Sequence, residues 1–214
     1  MRKLLKELPK DEAANTVSHG IAVILSIIGT VLLVQKALTM QHTTLLVSYI
    51  IYGIGITFLF AASTLYHYFQ QPSTKLLLRK FDHIGIYFMI AGTYTPFTLV
   101  TMAGTWAENL FFVVWGIAIL GLFFKIFFMG RFEKLSLVIY VVLGWLVIVA
   151  VQPMTQKVAT GGLWLLVAGG LAFTIGVIFY RWKSLFYHHA IWHVFVMLGG
   201  IFHYFSVLLY ALPA

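Results

Sequence analysis

Seven apolar stretches follow one another along the 214-residue chain, and each is close to the ~20 residues that cross a membrane as a helix. They cover residues 17–38, 43–69, 84–101, 110–128, 135–151, 162–180 and 190–209. Hydrophobic residues make up 61% of the chain and charged residues only 9%, so a soluble fold could not cover its apolar surface. This excludes cytosolic globular enzymes, nucleic-acid binders and disordered chains. The pattern predicts an all-α integral membrane protein, a seven-transmembrane helix bundle in the cell membrane.

The connectors between these stretches are short, and the chain contains neither an internal repeat nor a long linker. We therefore expect one transmembrane domain over residues 1–214, with residues 1–16 as a cytoplasmic N-terminal segment. That segment lacks the apolar core and cleavage site of a signal peptide, so we expect it to be retained. Cysteine is absent, which excludes disulfides, thiolate metal sites and a cysteine nucleophile.

The net charge of +8 is explained by the distribution of basic residues between the two faces of the membrane. If the N-terminus is cytoplasmic, twelve of the 14 Lys and Arg residues lie on the inner side: Arg2, Lys3, Lys6, Lys10, Lys75, Arg79, Lys80, Lys125, Arg131, Lys134, Arg181 and Lys183. Only Lys36 and Lys157 lie outside. Because cytoplasmic loops of membrane proteins are enriched in Lys and Arg, the predicted orientation has the N-terminus inside and the C-terminus outside.

Ionisable residues are costly inside a membrane, and four of them fall at the same inner depth in this orientation. His67 closes the second stretch, Asp82 precedes the third, and His189 and His193 open the seventh. His189 and His193 are four residues apart and therefore share a helix face, where their imidazoles can bind one metal ion. With His67 as the third ligand, the set is typical of catalytic zinc, which keeps a fourth position for water. Zinc lowers the pKa of that water towards about 7, and Asp82 could then hold or deprotonate it.

Each of these residues also has a structural explanation. The histidines could form an interfacial cluster hydrogen-bonded to lipid headgroups and loop backbone. Asp82 could instead orient a ligand histidine. Ser63 lies one turn before His67 and could orient it or bind substrate, but it could equally donate back to its own helix.

Other polar residues are weaker candidates. Glu12, Asn15, Ser18 and His19 precede or open the first stretch on the same side and could line the cavity, but Asn15 or Ser18 could simply cap the helix. We expect His83 and His188 to be interfacial anchors and His203 to make a buried hydrogen bond between helices. His42 receives no role, and Pro96 predicts a kink in the third stretch.

Several motifs of this chain resemble the hemolysin III family, the bacterial branch of the progestin and adipoQ receptor proteins. They are N-T-V-S-H-G at 15–20, S-T-L-Y-H at 63–67, F-D-H-I-G-I at 81–86, A-G-T-Y-T-P-F at 91–97 and H-A-I-W-H-V-F-V at 189–196, followed by His203. The combination of Ser, His and Asp with HxxxH is also similar to adiponectin receptors and, more loosely, to alkaline ceramidases.

The resemblance implies seven transmembrane helices with a cytoplasmic N-terminus and zinc near the inner leaflet. Carried over to this chain, it implies His67, His189 and His193 as zinc ligands, with Asp82 and Ser63 as catalytic residues beside the metal-bound water. The receptor relatives are associated with hydrolysis of ceramide, a lipid amide, and the bacterial members with membrane lipid homeostasis. This chain lacks the long cytoplasmic region of the receptors, so hormone signalling does not carry over.

Three functions remain in competition. The leading hypothesis is a zinc-dependent intramembrane hydrolase of a lipid amide or ester at the inner leaflet, with a membrane lipid as its substrate. The second is a non-enzymatic membrane sensor or regulator in which zinc sets the conformation that a partner or lipid reads. The third is a cytolytic protein. The sequence argues against a self-contained pore, because no apolar stretch carries a polar stripe outside the His/Asp cluster.

Overall fold

The computed structural model describes residues 8–213, within which every regular element is helical. The helices are α1 (Lys10–Thr39), α2 (Thr43–Tyr68), α3 (Pro72–Thr101), α4 (Thr105–Phe128), α5 (Glu133–Lys157), α6 (Thr160–Arg181) and α7 (His188–Tyr210). All seven are long and apolar enough to cross a membrane. The predicted all-α, seven-helix architecture is therefore confirmed for the described part of the chain.

Two helices begin well before the apolar stretches from which they were predicted. α1 starts at Lys10 with Pro9 as its N-cap residue, and α3 starts at Pro72 rather than near residue 84. Proline is favourable at the first helical position because its fixed φ is already helical and its missing N–H is not needed there. Charged side chains interrupt the apolar run in both regions without ending the helix. The suggestion that Asn15 or Ser18 caps α1 is therefore wrong, since both lie inside the helix.

The backbone of α5 is irregular halfway along its length. A 3-10 segment, Leu146–Ala150, separates two α-helical parts. The Tyr94 hydroxyl of α3 lies at this break, donating to the carbonyls of Leu143 and Gly144 at 3.0 and 3.1 Å and accepting from the N–H of Val147 at 2.7 Å. Buried backbone N–H and C=O groups need hydrogen-bond partners, and the Tyr94 hydroxyl provides them where the helix is interrupted. Two residues after Tyr94, α3 continues through Pro96 into a π-helical turn, Phe97–Thr101.

Glycines allow α2 and α3 to approach each other closely, as is common for helices packed in membranes. A Cβ at Gly55 would lie 2.7 Å from the Phe88 carbonyl oxygen, and one at Gly85 would lie 2.8 Å from the Leu59 Cα. Both obstacles are backbone atoms, which cannot rotate away. This contact fixes α2 against α3 and with it the relative positions of the residues that the two helices carry.

We expect the substitution Gly85→Val to destabilise the protein by about 1–3 kcal/mol, because the added side chain must push α3 away from α2. The melting temperature of the detergent-purified protein measures this loss. Gly116→Val is the matched control, since a Cβ at Gly116 meets nothing within 4 Å. Equal melting temperatures for the two variants would contradict the close contact.

An odd number of membrane crossings places the two ends of the described chain on opposite faces. Which face is cytoplasmic stays a prediction. Three of the basic residues behind it, Arg2, Lys3 and Lys6, lie outside the described residues. Lys125, in the last turn of α4, differs from the other described basic residues of the inner set because its side chain is fully buried.

Candidate metal centre

Three histidines from two helices meet inside the bundle. His67 lies in the last turn of α2, and His189 and His193 lie in the first two turns of α7. One ring nitrogen from each residue lies within 4.8 Å of the other two. His67 and His193 are buried, and His67 Nε2 has no hydrogen-bond partner among the described residues. A buried nitrogen left free in this way, facing two further imidazoles, fits a metal ion that takes nitrogen ligands.

The orientation of the His67 ring is set by a carboxylate on α1. Glu12 Oε2 lies 2.6 Å from His67 Nδ1. Because a carboxylate only accepts hydrogen bonds, Nδ1 of the neutral ring carries the proton and Nε2 keeps its lone pair. The amide nitrogen of Asn15 also approaches Nδ1, but at 3.4 Å, so Glu12 is the main partner. The lone pair that a metal needs is therefore on the free Nε2 atom.

A hydroxyl on α1 holds the His193 ring in the same way. Ser18 donates its proton to the Asn15 carbonyl at 2.9 Å, so its oxygen can accept from His193 Nδ1–H at 3.1 Å. His19, on the same helix, stacks on His193 with ring centroids 3.5 Å apart and planes within 6° of parallel. Both ring nitrogens of His19 are buried without a partner in the described part of the chain. α1 therefore contacts the histidine cluster at several points.

Asp82 and Ser63 lie beside the cluster, on α3 and α2. Asp82, Ser63 and His67 all line one cavity. Among the described residues, however, the ion-pair partner of His67 is Glu12 and not Asp82. The position of Asp82 thus favours an interaction with the contents of the cavity over the alternative that it orients His67.

The cavity that contains these residues has a volume of about 360 Å³. Near the starts of α1, α5 and α7, the end called the mouth below, its walls carry charged and polar side chains, and farther along the helices they are apolar. The mouth includes Asp11, Arg79, Glu133, Lys183 and His188, and the deeper walls include Ile86, Met89, Ile90, Phe173, Val177 and Val196. Arg79 and Glu133 form a salt bridge of 2.8 Å across the mouth. The lining of the cavity thus changes from charged side chains at one end to apolar side chains farther along the helices, with the histidine cluster among its walls.

A second cavity, of about 380 Å³, lies beside the first, with walls that come mainly from α3, α5 and α6. The two cavities share Tyr94, Trp145, Gly170 and His203 among their walls. The remaining walls of the second cavity are almost entirely apolar, with Leu163, Trp164 and Val167 among them. The second cavity thus places apolar space next to the cavity that contains the histidine cluster.

The other histidines have separate positions. His203 Nε2 lies 3.2 Å from the Leu166 carbonyl oxygen, which confirms the expected hydrogen bond between helices. His42 caps α2 by accepting from the Leu45 N–H at 3.1 Å. His188 is the first residue of α7 and His83 lies about three turns inside α3, and both line the cavity.

Comparison with known proteins agrees with the fold and with the motifs. Residues 9–204 match the family described as Haemolysin-III related. Hemolysin-3 of Bacillus cereus is 41% identical over 209 residues, which cover 98% of this chain and 95% of the relative. The chain belongs to the haemolysin-III family. A second family member, the Hemolysin-3 homolog of Bacillus subtilis, is 44% identical over 201 residues, covering 94% of each chain.

A more distant relative extends the haemolysin-III comparison to animals. The human monocyte to macrophage differentiation factor is 27% identical over 203 residues, which cover 92% of this chain and 83% of the relative. The resemblance predicted from the motifs is thus confirmed at the level of the family. The haemolysin-III protein described here is a multi-pass membrane protein, and its buried histidine triad could hold a metal ion.

Sequence reasoning did not identify the direct contact of Glu12 with His67. The signal was present in the spacing of Glu12, Asn15 and His19, which places the three on one face of α1. The contact itself depends on how α1 is rotated against α2, which the spacing leaves open. The second cavity carries no sequence signal, because its walls are the apolar residues expected of any membrane helix.

Proposed function

We propose that this haemolysin-III protein is a zinc-dependent hydrolase that cleaves an amide or ester bond of a membrane lipid at the inner leaflet. The observation that carries the proposal is the histidine triad with a free Nε2 on His67, set in a cavity with a carboxylate beside it. His67, His189 and His193 hold the ion. Three histidines without a fourth protein ligand are typical of catalytic rather than structural zinc.

Zinc bound at this triad supplies a Lewis acid that polarises a carbonyl group and activates water near neutral pH. Asp82 accepts the proton of the attacking water at its carboxylate and returns it to the amine or alcohol that leaves as the C–N or C–O bond breaks. Ser63, next to Asp82, holds the carboxylate in place. Glu12 and Ser18 keep the proton of two ligand rings on Nδ1, so that Nε2 faces the ion.

The cavities support a lipid as the substrate. A lipid amide or ester joins a polar head to a long apolar chain, and the first cavity has a charged mouth and apolar walls. The second cavity adds about 380 Å³ of apolar space beyond it. A scissile carbonyl beside the triad would thus have polar surroundings on one side and room for an acyl chain on the other.

The proposal is tested by measuring fatty acid release from defined lipids by the purified protein in lipid nanodiscs. The substrates are an N-acyl sphingoid base as the amide and a diacyl phospholipid as the ester. We expect release from at least one class, loss of release after treatment with a zinc chelator, and recovery after zinc is added back. Protein that holds stoichiometric zinc yet releases no fatty acid from these lipids or from a total membrane extract contradicts the hydrolase.

That outcome would favour a non-enzymatic regulator, for which the structure offers a specific observation. The metal ligands come from α2 and α7, and α1 contacts two of them through Glu12 and Ser18. An ion there would tie the second helix, and through its contacts the first, to the last helix of the chain. Zinc would then raise the melting temperature of the protein without any turnover, and a lipid or partner protein would recognise the resulting conformation.

Cytolysis, suggested by the names of the Bacillus relatives, predicts dye release from liposomes that contain this protein alone.

A further inference from the structure

We infer that Glu12 is a positioning residue of the metal centre, which holds His67 in the orientation and tautomer that binds the ion. The inference rests on the proposed metal site and assigns a role to a residue outside the ligand set. Its basis is the contact of 2.6 Å between Glu12 Oε2 and His67 Nδ1. The His67 side chain is only 4% exposed, and Glu12 is the hydrogen-bond acceptor of its Nδ1 in the described structure.

Glu12 is itself held on its other oxygen. Lys75 Nζ at the start of α3 donates to Glu12 Oε1 at 2.6 Å and to Gln70 Oε1 at 2.9 Å. Gln70 Nε2 in turn donates to the His67 backbone carbonyl at 2.7 Å. The hydrogen bonds form a closed ring that joins α1, the end of α2 and the start of α3. Each oxygen of the Glu12 carboxylate thus has one charged or ring N–H partner, which restricts its rotation.

A carboxylate does more for a metal-binding imidazole than a neutral acceptor does. The hydrogen bond from Nδ1–H to a negative oxygen is about twice as strong as one to a neutral oxygen and makes the other ring nitrogen more basic. Carboxylates that orient ligand histidines typically raise metal affinity by about 10–100-fold. Glu12 accepts this hydrogen bond from His67 Nδ1. The other ring nitrogen, Nε2, is left without a partner in the described structure and is the one that becomes more basic.

Glu12 differs from the other acidic side chain that is paired across the cavity. Glu133 also lines the cavity and also forms a salt bridge, but its partner is Arg79 and not a histidine. A general electrostatic effect of cavity carboxylates on a cation would therefore appear at both positions. A positioning effect appears at Glu12 alone, which makes Glu133 the matched control.

The test compares zinc affinity in the wild type, Glu12→Gln and Glu133→Gln, purified in detergent and titrated in competition with a chelator of known affinity. Glutamine keeps the size of the side chain and removes its charge. We expect zinc affinity to fall about 10–100-fold in Glu12→Gln and to stay near the wild-type value in Glu133→Gln. We also expect the visible spectrum of the Co²⁺-loaded protein to change in Glu12→Gln, because the His67 ring is held less firmly.

Melting temperatures measured with chelator separate positioning from a structural role. Zinc should raise the melting temperature of Glu12→Gln less than that of the wild type, when each is compared with its own value measured with chelator. A variant that melts lower without metal and binds zinc normally overturns the inference and leaves the proposed function intact. If Glu12→Gln does not fold, Glu12→Asp provides the comparison, since its shorter side chain withdraws from His67 but keeps the charge. A wild type that binds no zinc contradicts the proposed function and this inference together.

Discussion

Replacing His67, His189 or His193 by alanine is expected to reduce the zinc content of the purified protein from about one ion per chain to close to none. Each histidine supplies one of the three nitrogens that lie within 4.8 Å of one another. Removing one leaves two ligands, and no other described side chain belongs to the same group. Elemental analysis of the detergent-purified wild type and the three variants measures this loss directly.

Stability gives a second measurement of the same effect. A ligand that binds only the folded state stabilises it in proportion to the logarithm of its concentration over Kd, so chelation should lower the melting temperature of the wild type. For each of the three variants, the melting temperature measured with chelator should equal the one measured without it. His188→Ala is the control, because His188 is next to His189 in sequence but outside the triad. Unchanged zinc content in all three triad variants would exclude the site.

Replacing Asp82 by asparagine is expected to lower kcat for lipid hydrolysis about 10²–10⁴-fold while zinc content stays at the wild-type level. Asparagine keeps the size of the side chain but cannot accept a proton from water. Asp82 is not an ion-pair partner of His67 in the described structure, so the ligand rings should keep their positions. Fatty acid release from the most reactive lipid of the substrate panel, measured beside the zinc content of the same sample, checks both parts.

Asp11→Asn is the matched control for Asp82, because Asp11 lies at the mouth of the same cavity and undergoes the same chemical change. We expect its kcat to remain near the wild-type value. Turnover that persists in Asp82→Asn with zinc in place would remove Asp82 from the mechanism. Loss of zinc in Asp82→Asn would instead make it a residue that supports the ligand set.

The seven helices and the histidine triad could be predicted because each leaves a strong local signal. A helix that crosses a membrane must be apolar over about 20 residues, and an ionisable residue inside it is conspicuous. His189 and His193 share a face through their spacing alone. His67 could be assigned to the same group because the predicted topology places the end of the second helix and the start of the seventh on the same side of the membrane.

The parts that could not be predicted depend on how helices are rotated and where they begin. The contact of Glu12 with His67 joins residues 55 positions apart and requires a particular rotation of α1. The early start of α3 at Pro72 is hidden by Lys75 and Arg79, whose charges end the apolar stretch. For the same reason the pairing of Lys75 with Glu12 could not be expected from a reading of apolar windows.

The order of the three proposed ligand histidines along the chain has a consequence for how the protein is made. Proteins are synthesised from the N-terminus, so His67 and its partner Glu12 enter the membrane with the first two helices. His189 and His193 arrive only with the last helix, 122 and 126 residues later. The proposed ion-binding site therefore cannot exist in a nascent chain until α7 has been synthesised. A chain that stops before α7 retains Glu12 and His67 but can never form the triad.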